Sequence, residues 1–420
     1  EMTEHRGNQK CMHPVLAERE HEMIQAKLRN AMEEHGLDAL IIAKPENILY
    51  ATGYQQVWGY APTMPAGLST AVLAPDGSCH LILSSLETQA AAALTPDAVK
   101  VSGFPTWVFI DDGSDPNDRD LPTEVNPFAA METAMAIVKD CKADAKIGIE
   151  MGSLTHGMHE YIMKIAGEAS FKDSLPAIMQ SRMIKTPWEV GMLRRAAQLT
   201  ERAMHQMASE IEPGMYPADI ENRMVAIGRG MDEERLVTTQ GLAYAFGPYY
   251  SLAGTPRHFP LEPGDIVKLD GGFTHLGYIA DIARSCAVGG VVHDDSKRVF
   301  DALYKGFERG LELIGPGIRH CDLYHEVRKT VEATGVIPTY ARGHVGHSIG
   351  ICPFAEEFPP ISADCELELV PGMVISFELS YFGTHGAPAV GGFNTEDSFV
   401  ITEDGYERFT HVPNTLVYNS

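Results

Sequence analysis

From Pro14 to Gly36 apolar residues recur at helical spacing among many charges, which predicts an amphipathic helix. The period then changes. Residues 38–43 form a short apolar run, Ala-Leu-Ile-Ile-Ala after an Asp, and predict a buried strand. In 68–84 two apolar runs flank Ala74-Pro75-Asp76-Gly77 and predict a hairpin. Residues 101–127 lose any period, are rich in Pro, Asp and Gly, and predict a surface loop. A helix near 127–141, a strand over 146–150 and a helix near 155–167 complete an alternating α/β unit.

A boundary falls within 171–187. Thr186-Pro187-Trp188-Glu189 is a capping box with Pro at the first helical position, and it opens a long helix to about Ile211. A second helix is predicted near 217–233. Strands follow over 265–273 and 278–289, helices near 294–314 and 321–334, and strands again over 371–380 and 395–402. Helices before and between antiparallel strands predict an α+β domain with a curved sheet. The organisation read from the pattern is an arm over 1–13, a smaller domain over 14–180 and a larger one over 181–420.

Composition adds exclusions. A chain of 420 residues suits two cores better than one. A formal net charge of −24 argues against nucleic acid as a partner, since binding there needs Lys and Arg against phosphates. The polar N-terminus offers no signal peptide, and no apolar stretch is long enough to span a bilayer. Seven scattered Cys without CxxC spacing read as reduced thiols, which fits a cytoplasmic protein.

Candidate chemistry gathers late in the chain, at Asp270, Asp281, His347, Glu378 and Glu396. A lone Asp is more often a turn or cap residue. Asp270, however, sits inside the apolar run Val267-Lys268-Leu269, where an unpaired carboxylate is costly. Two strands joined by a turn containing Gly277 could place Asp281 beside it. His347 lies among glycines that allow the backbone close to a ligand. Glu378 closes an apolar run, and Glu396 with Asp397 reads by itself as a solvated acid pair. The ordered set is the specific signal. Four carboxylates and one imidazole suit two hard or borderline divalent metals.

The order and contexts of these five resemble the pita-bread metallopeptidase family M24, in its aminopeptidase P, prolidase and creatinase branch. The likeness covers about 187–411, including Leu261-Glu262-Pro263-Gly264-Asp265 and the closing strands around Glu378 and Glu396. Residues 47–54 and 71–77 are similar to that branch's smaller domain. The resemblance implies an α+β, pita-bread catalytic domain behind a smaller α/β domain of creatinase/prolidase type. It implies that Asp270 chelates one metal, that Asp281 and Glu396 bridge two, and that His347 and Glu378 complete the second. It further implies two divalent ions (Mn, Fe, Zn or Co) and a bridging hydroxide that attacks an amide carbonyl of a small peptide-like substrate. Glu378 would carry the proton. A homodimer is the expected assembly, with no nucleic-acid or membrane partner.

The chain departs from that pattern in three places. Where a His-Glu pair is usual, Phe354 and Ala355 stand, and Glu356-Glu357-Phe358-Pro359 follow two residues later. Glu356 and Glu357 are therefore candidates for catalysis or for an exposed loop. His258, twelve residues before Asp270, is a candidate for a second expected His or for the surface. Asn394 replaces an Arg often found in prolidase-like enzymes, which removes a partner for a substrate carboxylate. Trp58, Tyr60, Tyr249, Tyr250 and Phe354 are candidate pocket walls, with plain packing as the alternative. His344 either orients His347 or bonds within its loop. Lys185 and Arg182 read as a solvated helix entrance. These departures keep open a non-peptidase member of the same fold, either a metal-dependent lyase of the dimethylsulfoniopropionate-cleaving type or a creatinase-like amidinohydrolase.

Overall fold

The computed structural model describes residues 12–56, 69–104, 126–249, 256–351, 356–383 and 386–418. They form two compact units that divide between Arg182 and Met183. No helix among the described residues is long and apolar enough to cross a membrane.

The first unit holds strands β1 (Ala39–Ile42), β2 (Thr70–Leu73), β3 (Cys79–Ser84), β4 (Val99–Phe104), β5 (Lys146–Ile149) and β6 (Ser170–Asp173). They form one mixed sheet in the order β4-β3-β2-β1-β5-β6. The expected hairpin is β2–β3, antiparallel around Asp76 and Gly77. The central strand β1 is buried throughout, and Met131, Met135 and Val138 of the helix Ala129–Cys141 join Ile41 and Ile147 in its core. Two expectations change. The helix read over 14–36 is broken into Pro14–Ala17 and His21–Glu34. Between them Arg19 is buried and its Nη2 donates to the carbonyls of Tyr50 at 2.5 Å and Leu49 at 3.4 Å. That tertiary contact outweighs helical continuity. The start of the loop read over 101–127 is strand β4, and most of the rest lies outside the described residues, as do residues 1–11 of the arm.

The second unit opens with the predicted helix, Pro187–Glu210. Its capping box is formed in both directions between Thr186 and Glu189. The strands are β7 (Val237–Phe246), β8 (Ile266–His275), β9 (Tyr278–Ile279), β10 (Ile282–Ala287), β11 (His344–Ser348), β12 (Glu357–Ser362), β13 (Val374–Tyr381), β14 (Phe393–Thr402) and β15 (Gly405–Arg408). They form one sheet in the order β12-β11-β13-β14-β10-β8-β7, with β15 beside β14 and β9 beside β8. Its helices, led by Asp294–Leu313 and His320–Ala333, pack an apolar core on it.

Strands β7, β11 and β12 were not expected. Thr238, Thr239 and Gln240 of β7 are exposed and polar, and β12 carries Pro359 and Pro360, which an edge strand tolerates. Strand β11 occupies the segment read as a glycine-rich loop. Gly346 there serves strand pairing rather than ligand approach: a Cβ on it would lie 2.3 Å from the Ser376 carbonyl oxygen of β13. Gly271 does the same on β8, where a Cβ would meet the Gly241 carbonyl oxygen at 2.0 Å.

One row of directly opposed residues crosses the sheet: Ala243, Asp270, Ala283, Glu396 and Glu378. Opposed residues share a face, so three carboxylates point the same way, with small Ala283 leaving room between them. The neighbouring positions Arg284 and Asp397 must then point to the other face. There Arg284 is fully buried. It donates to Asp397 at 2.9 Å, to Glu201 of the long helix at 3.1 Å, and to the Glu396 carbonyl at 2.9 Å. Asp397 also accepts from Arg408 and Thr410. The acid pair read as solvated is thus buried on both sides of β14.

Replacing Arg284 with Met leaves two buried carboxylates short of a cation. We expect a loss of about 3–5 kcal/mol in urea unfolding, the usual result of breaking a buried pair. A change within about 0.5 kcal/mol, typical of a surface site, would show that the network carries no stability.

Candidate metal centre

Side chains two residues apart in a strand share a face, and this rule assembles the site. Asp281 stands two positions before Ala283, and His347 faces Ser376, two positions before Glu378. Asp281, His347 and Glu396 bring one ligand atom each to within 4.8 Å of one another, all buried. His347 Nε2 lies 3.4 Å from Asp281 Oδ2, while its Nδ1 donates to the Ser348 carbonyl at 2.9 Å. The Nδ1 bond fixes the ring so that Nε2 faces the carboxylates.

Asp270 and Glu378 adjoin this triple and are held by other groups. Asp270 Oδ2 accepts from Lys268 Nζ at 3.0 Å and from Asn394 Nδ2 at 3.3 Å. Glu378 accepts from Arg342 and Ser380, each at 2.6 Å, and from Asn394 at 3.1 Å. The same Asn394 amide lies 3.0 Å from Glu396 Oε2. Glu396 Oε1 is buried and has no hydrogen-bond partner among the described residues.

Electrostatics follow from this crowding. Burial pushes Asp281 up to about 6, although its contact with His347 opposes the rise. Burial lowers His347, but Asp281 and then Glu378 outweigh it and raise the ring to about 9. Burial also acts to raise Glu378, yet Arg342, His347 and His344 hold it at about 2. Burial and then the charges of Asp281, Glu378 and Asp270 push Glu396 well above the carboxylate range. Anions packed this tightly retain protons or take a cation. Oxygen donors, one imidazole and the unpartnered Glu396 oxygen suit a divalent metal.

The carboxylates open on a cavity of about 290 Å³. Arg342, Glu356 and Phe382 stand in its wall. His344 lies between Glu378 (3.4 Å) and the exposed Glu356 (3.7 Å), with its ring edge-on to His347 at 5.8 Å. Glu357 turns elsewhere: it is buried, 3.6 Å from Lys185 Nζ, and packs beside Gly350. Lys185 also donates to Ser348 Oγ at 2.9 Å. It is therefore no solvated entrance, and neither is Arg182, which is buried and donates to Asn47. His258 and Tyr249 are exposed and do not line this cavity, and Tyr249 packs edge-on against Phe259. Trp58, Tyr60, Tyr250 and Phe354 lie outside the described residues.

Reasoning from sequence missed Lys268, Ser380, Arg342 and Phe382. The first two carried a signal, since each sits two strand positions from a candidate ligand. Arg342 and Phe382 lie outside the strands and carried none.

Comparison with known proteins agrees with this architecture. The profile of metallopeptidase family M24 matches residues 191–403, and that of the creatinase/prolidase N-terminal domain matches residues 25–184. An Xaa-Pro dipeptidase of Pyrococcus horikoshii is 24% identical over 393 residues, which is 93% of this chain and 97% of the relative. The peptidase YqhT of Bacillus subtilis is 26% identical over 93% of this chain and 98% of its own. Among solved structures, the Xaa-Pro dipeptidase from Bacillus anthracis superposes with a TM-score of 0.75 at 20% identity, covering 94% of this chain and 99% of its own. The X-Pro aminopeptidase from Thermotoga maritima gives 0.74 at 22% identity, with the same coverage. The chain belongs to metallopeptidase family M24, with the two-domain architecture of its prolidase branch, and is a hydrolase of that family.

Proposed function

We propose that this chain is a metal-dependent, Xaa-Pro peptidase-like hydrolase that cleaves a short peptide or small amide. The observation that carries the reading is the triple of buried ligand atoms, Asp281, His347 and Glu396, at a cavity with Asp270 and Glu378 beside them. These five side chains would hold divalent metal, with Mn, Fe, Zn and Co all compatible with the donor set. Bound there, such ions supply Lewis acidity and lower the pKa of a coordinated water.

The chain's own groups do the rest. Arg342 favours the ionised form of Glu378, which stands in the cavity wall where it would relay a proton to a leaving amine. His347 keeps its orientation through Ser348. Asn394 bears no charge, so the carboxylate of a short peptide finds its cation at Arg342, in the cavity wall.

Asp281→Ala or His347→Ala should lower kcat/KM by at least about two orders of magnitude, more than loss of a residue that only supports a ligand. The circular dichroism spectrum should stay unchanged. Enzyme stripped with a chelator should be inactive until metal is restored. Full activity after stripping would sink the proposal, and release of an alkene product without consumption of water would move the chain to the lyases.

Arg342→Gln should raise KM about tenfold or more for peptides with a free carboxylate, the scale of one lost charge-assisted bond. C-terminally amidated peptides should show no such rise. Any effect of this variant through Glu378 falls on both substrates, so the acid-to-amide ratio isolates the contact. An unchanged ratio would remove Arg342 from substrate recognition.

A further inference from the structure

The geometry points to Lys268 as a positioning residue of the metal centre, supplying from strand β8 the cation that position 394 on strand β14 lacks. The inference rests on the metal-enzyme reading above. Lys268 precedes Asp270 by two positions and shares its face of β8. Its side chain is 0% exposed, and Nζ donates to Asp270 Oδ2 at 3.0 Å. An ammonium is costly to bury and persists only against a fixed anion. Asp270 lines the cavity whereas Lys268 does not, so the ammonium holds the carboxylate from behind. The Phe382 ring closes over the pair, its centroid 4.8 Å from Lys268 Nζ and 5.2 Å from the Arg342 guanidinium.

Asn394 meets the same oxygen from the other side. Its Nδ2 lies within 3.3 Å of Asp270, Glu378 and Glu396, and its Oδ1 is buried without a hydrogen-bond partner among the described residues. A neutral amide thus occupies a place surrounded by three carboxylates. A cationic side chain at 394 would face those acids directly. Here the compensating charge reaches Asp270 from the neighbouring residue pair instead. Lys268 therefore orients Asp270 toward the cavity and offsets its charge, without contacting substrate.

The test uses the full chain, metal-stripped and reloaded with Mn(II). Lys268→Met keeps most of the side chain's bulk and removes its charge. It should lower both Mn(II) affinity, read by calorimetry, and kcat by about 10–100-fold, the usual effect of losing a group that orients a ligand. Asn394→Arg added to that variant should restore most of both. Asn394→Arg alone should give no gain, because it sets a second cation on Asp270. A role in packing alone would not be rescued from another strand. Lys268→Met within about twofold of wild type, or a double variant no better than the single one, overturns the inference. Should Lys268→Met fail to fold, Lys268→Gln with and without Asn394→Arg carries the same comparison. If the wild-type chain binds no Mn(II), the metal reading itself fails, which is a different result from retention of binding and turnover in the variants.

Discussion

Four carboxylates share one buried face of one sheet, and the rest of the second unit answers that fact. Asp270, Asp281, Glu378 and Glu396 are each less than a tenth exposed. Their mutual repulsion in a low-dielectric setting would unfold an uncompensated sheet. Lys268 and Arg342 offset part of the charge, the Asn394 amide binds three of the acids, and His347 pairs with Asp281. With all four acids ionised, negative charge would exceed positive by one, and burial with the neighbouring acids favours a retained proton on Glu396. A divalent cation held there would offset the remainder and would tie the stability of this face to metal binding.

The opposite face repeats the arrangement with different chemistry. Arg284 and Asp397 are the immediate neighbours of Ala283 and Glu396, so strand alternation sends them away from the cavity. There they form a buried net with Glu201 and Arg408 that needs no metal. Strand β14 therefore carries a cavity-lining acid, Glu396, and a structural acid, Asp397, at adjacent positions. The Arg284 guanidinium also donates to the Glu396 backbone carbonyl, which couples the position of that residue to the helix Pro187–Glu210 through Glu201.

How much of this was legible in the sequence depended on range. The capping box at Thr186, the β2–β3 hairpin and the strands β8, β10, β13 and β14 were readable because turn chemistry and local period determine them. The ordered set of four acids and one imidazole, which the fold gathers at one cavity, also stood out in the sequence. Strands β4, β6, β7, β11, β12 and β15 were not readable. Strand β11 hides behind glycines whose purpose, close approach to β13, exists only once the strands meet. Strand β12 carries prolines that argue against a strand unless it is known to be an edge. Glu357 and Lys185 are separated by 172 positions, so their burial as a pair has no local signal. Glu356 and Glu357 show the limit plainly: as neighbours in sequence they looked equivalent, yet one reaches the cavity and His344 while the other is sealed against Lys185.

One departure noted in the sequence and one residue that drew no notice meet at one oxygen. Asn394, where resemblance led us to expect Arg, and Lys268, unremarked in its apolar run, both donate to Asp270 Oδ2. They belong to β14 and β8, strands on either side of β10. A charge required near a buried carboxylate is required in space, not at a sequence position. Either flanking strand can supply it, provided the residue lies two positions from an acid and so on the same face. The substrate consequence is distinct. Lys268 stands behind Asp270 and does not line the cavity, which leaves Arg342 as the cation of the cavity wall among the described residues. On the proposed reading, a charge placed on β8 rather than β14 would keep the support of Asp270 while changing the positive charge that a substrate meets, and that would separate how this centre activates a bond from which molecule it accepts.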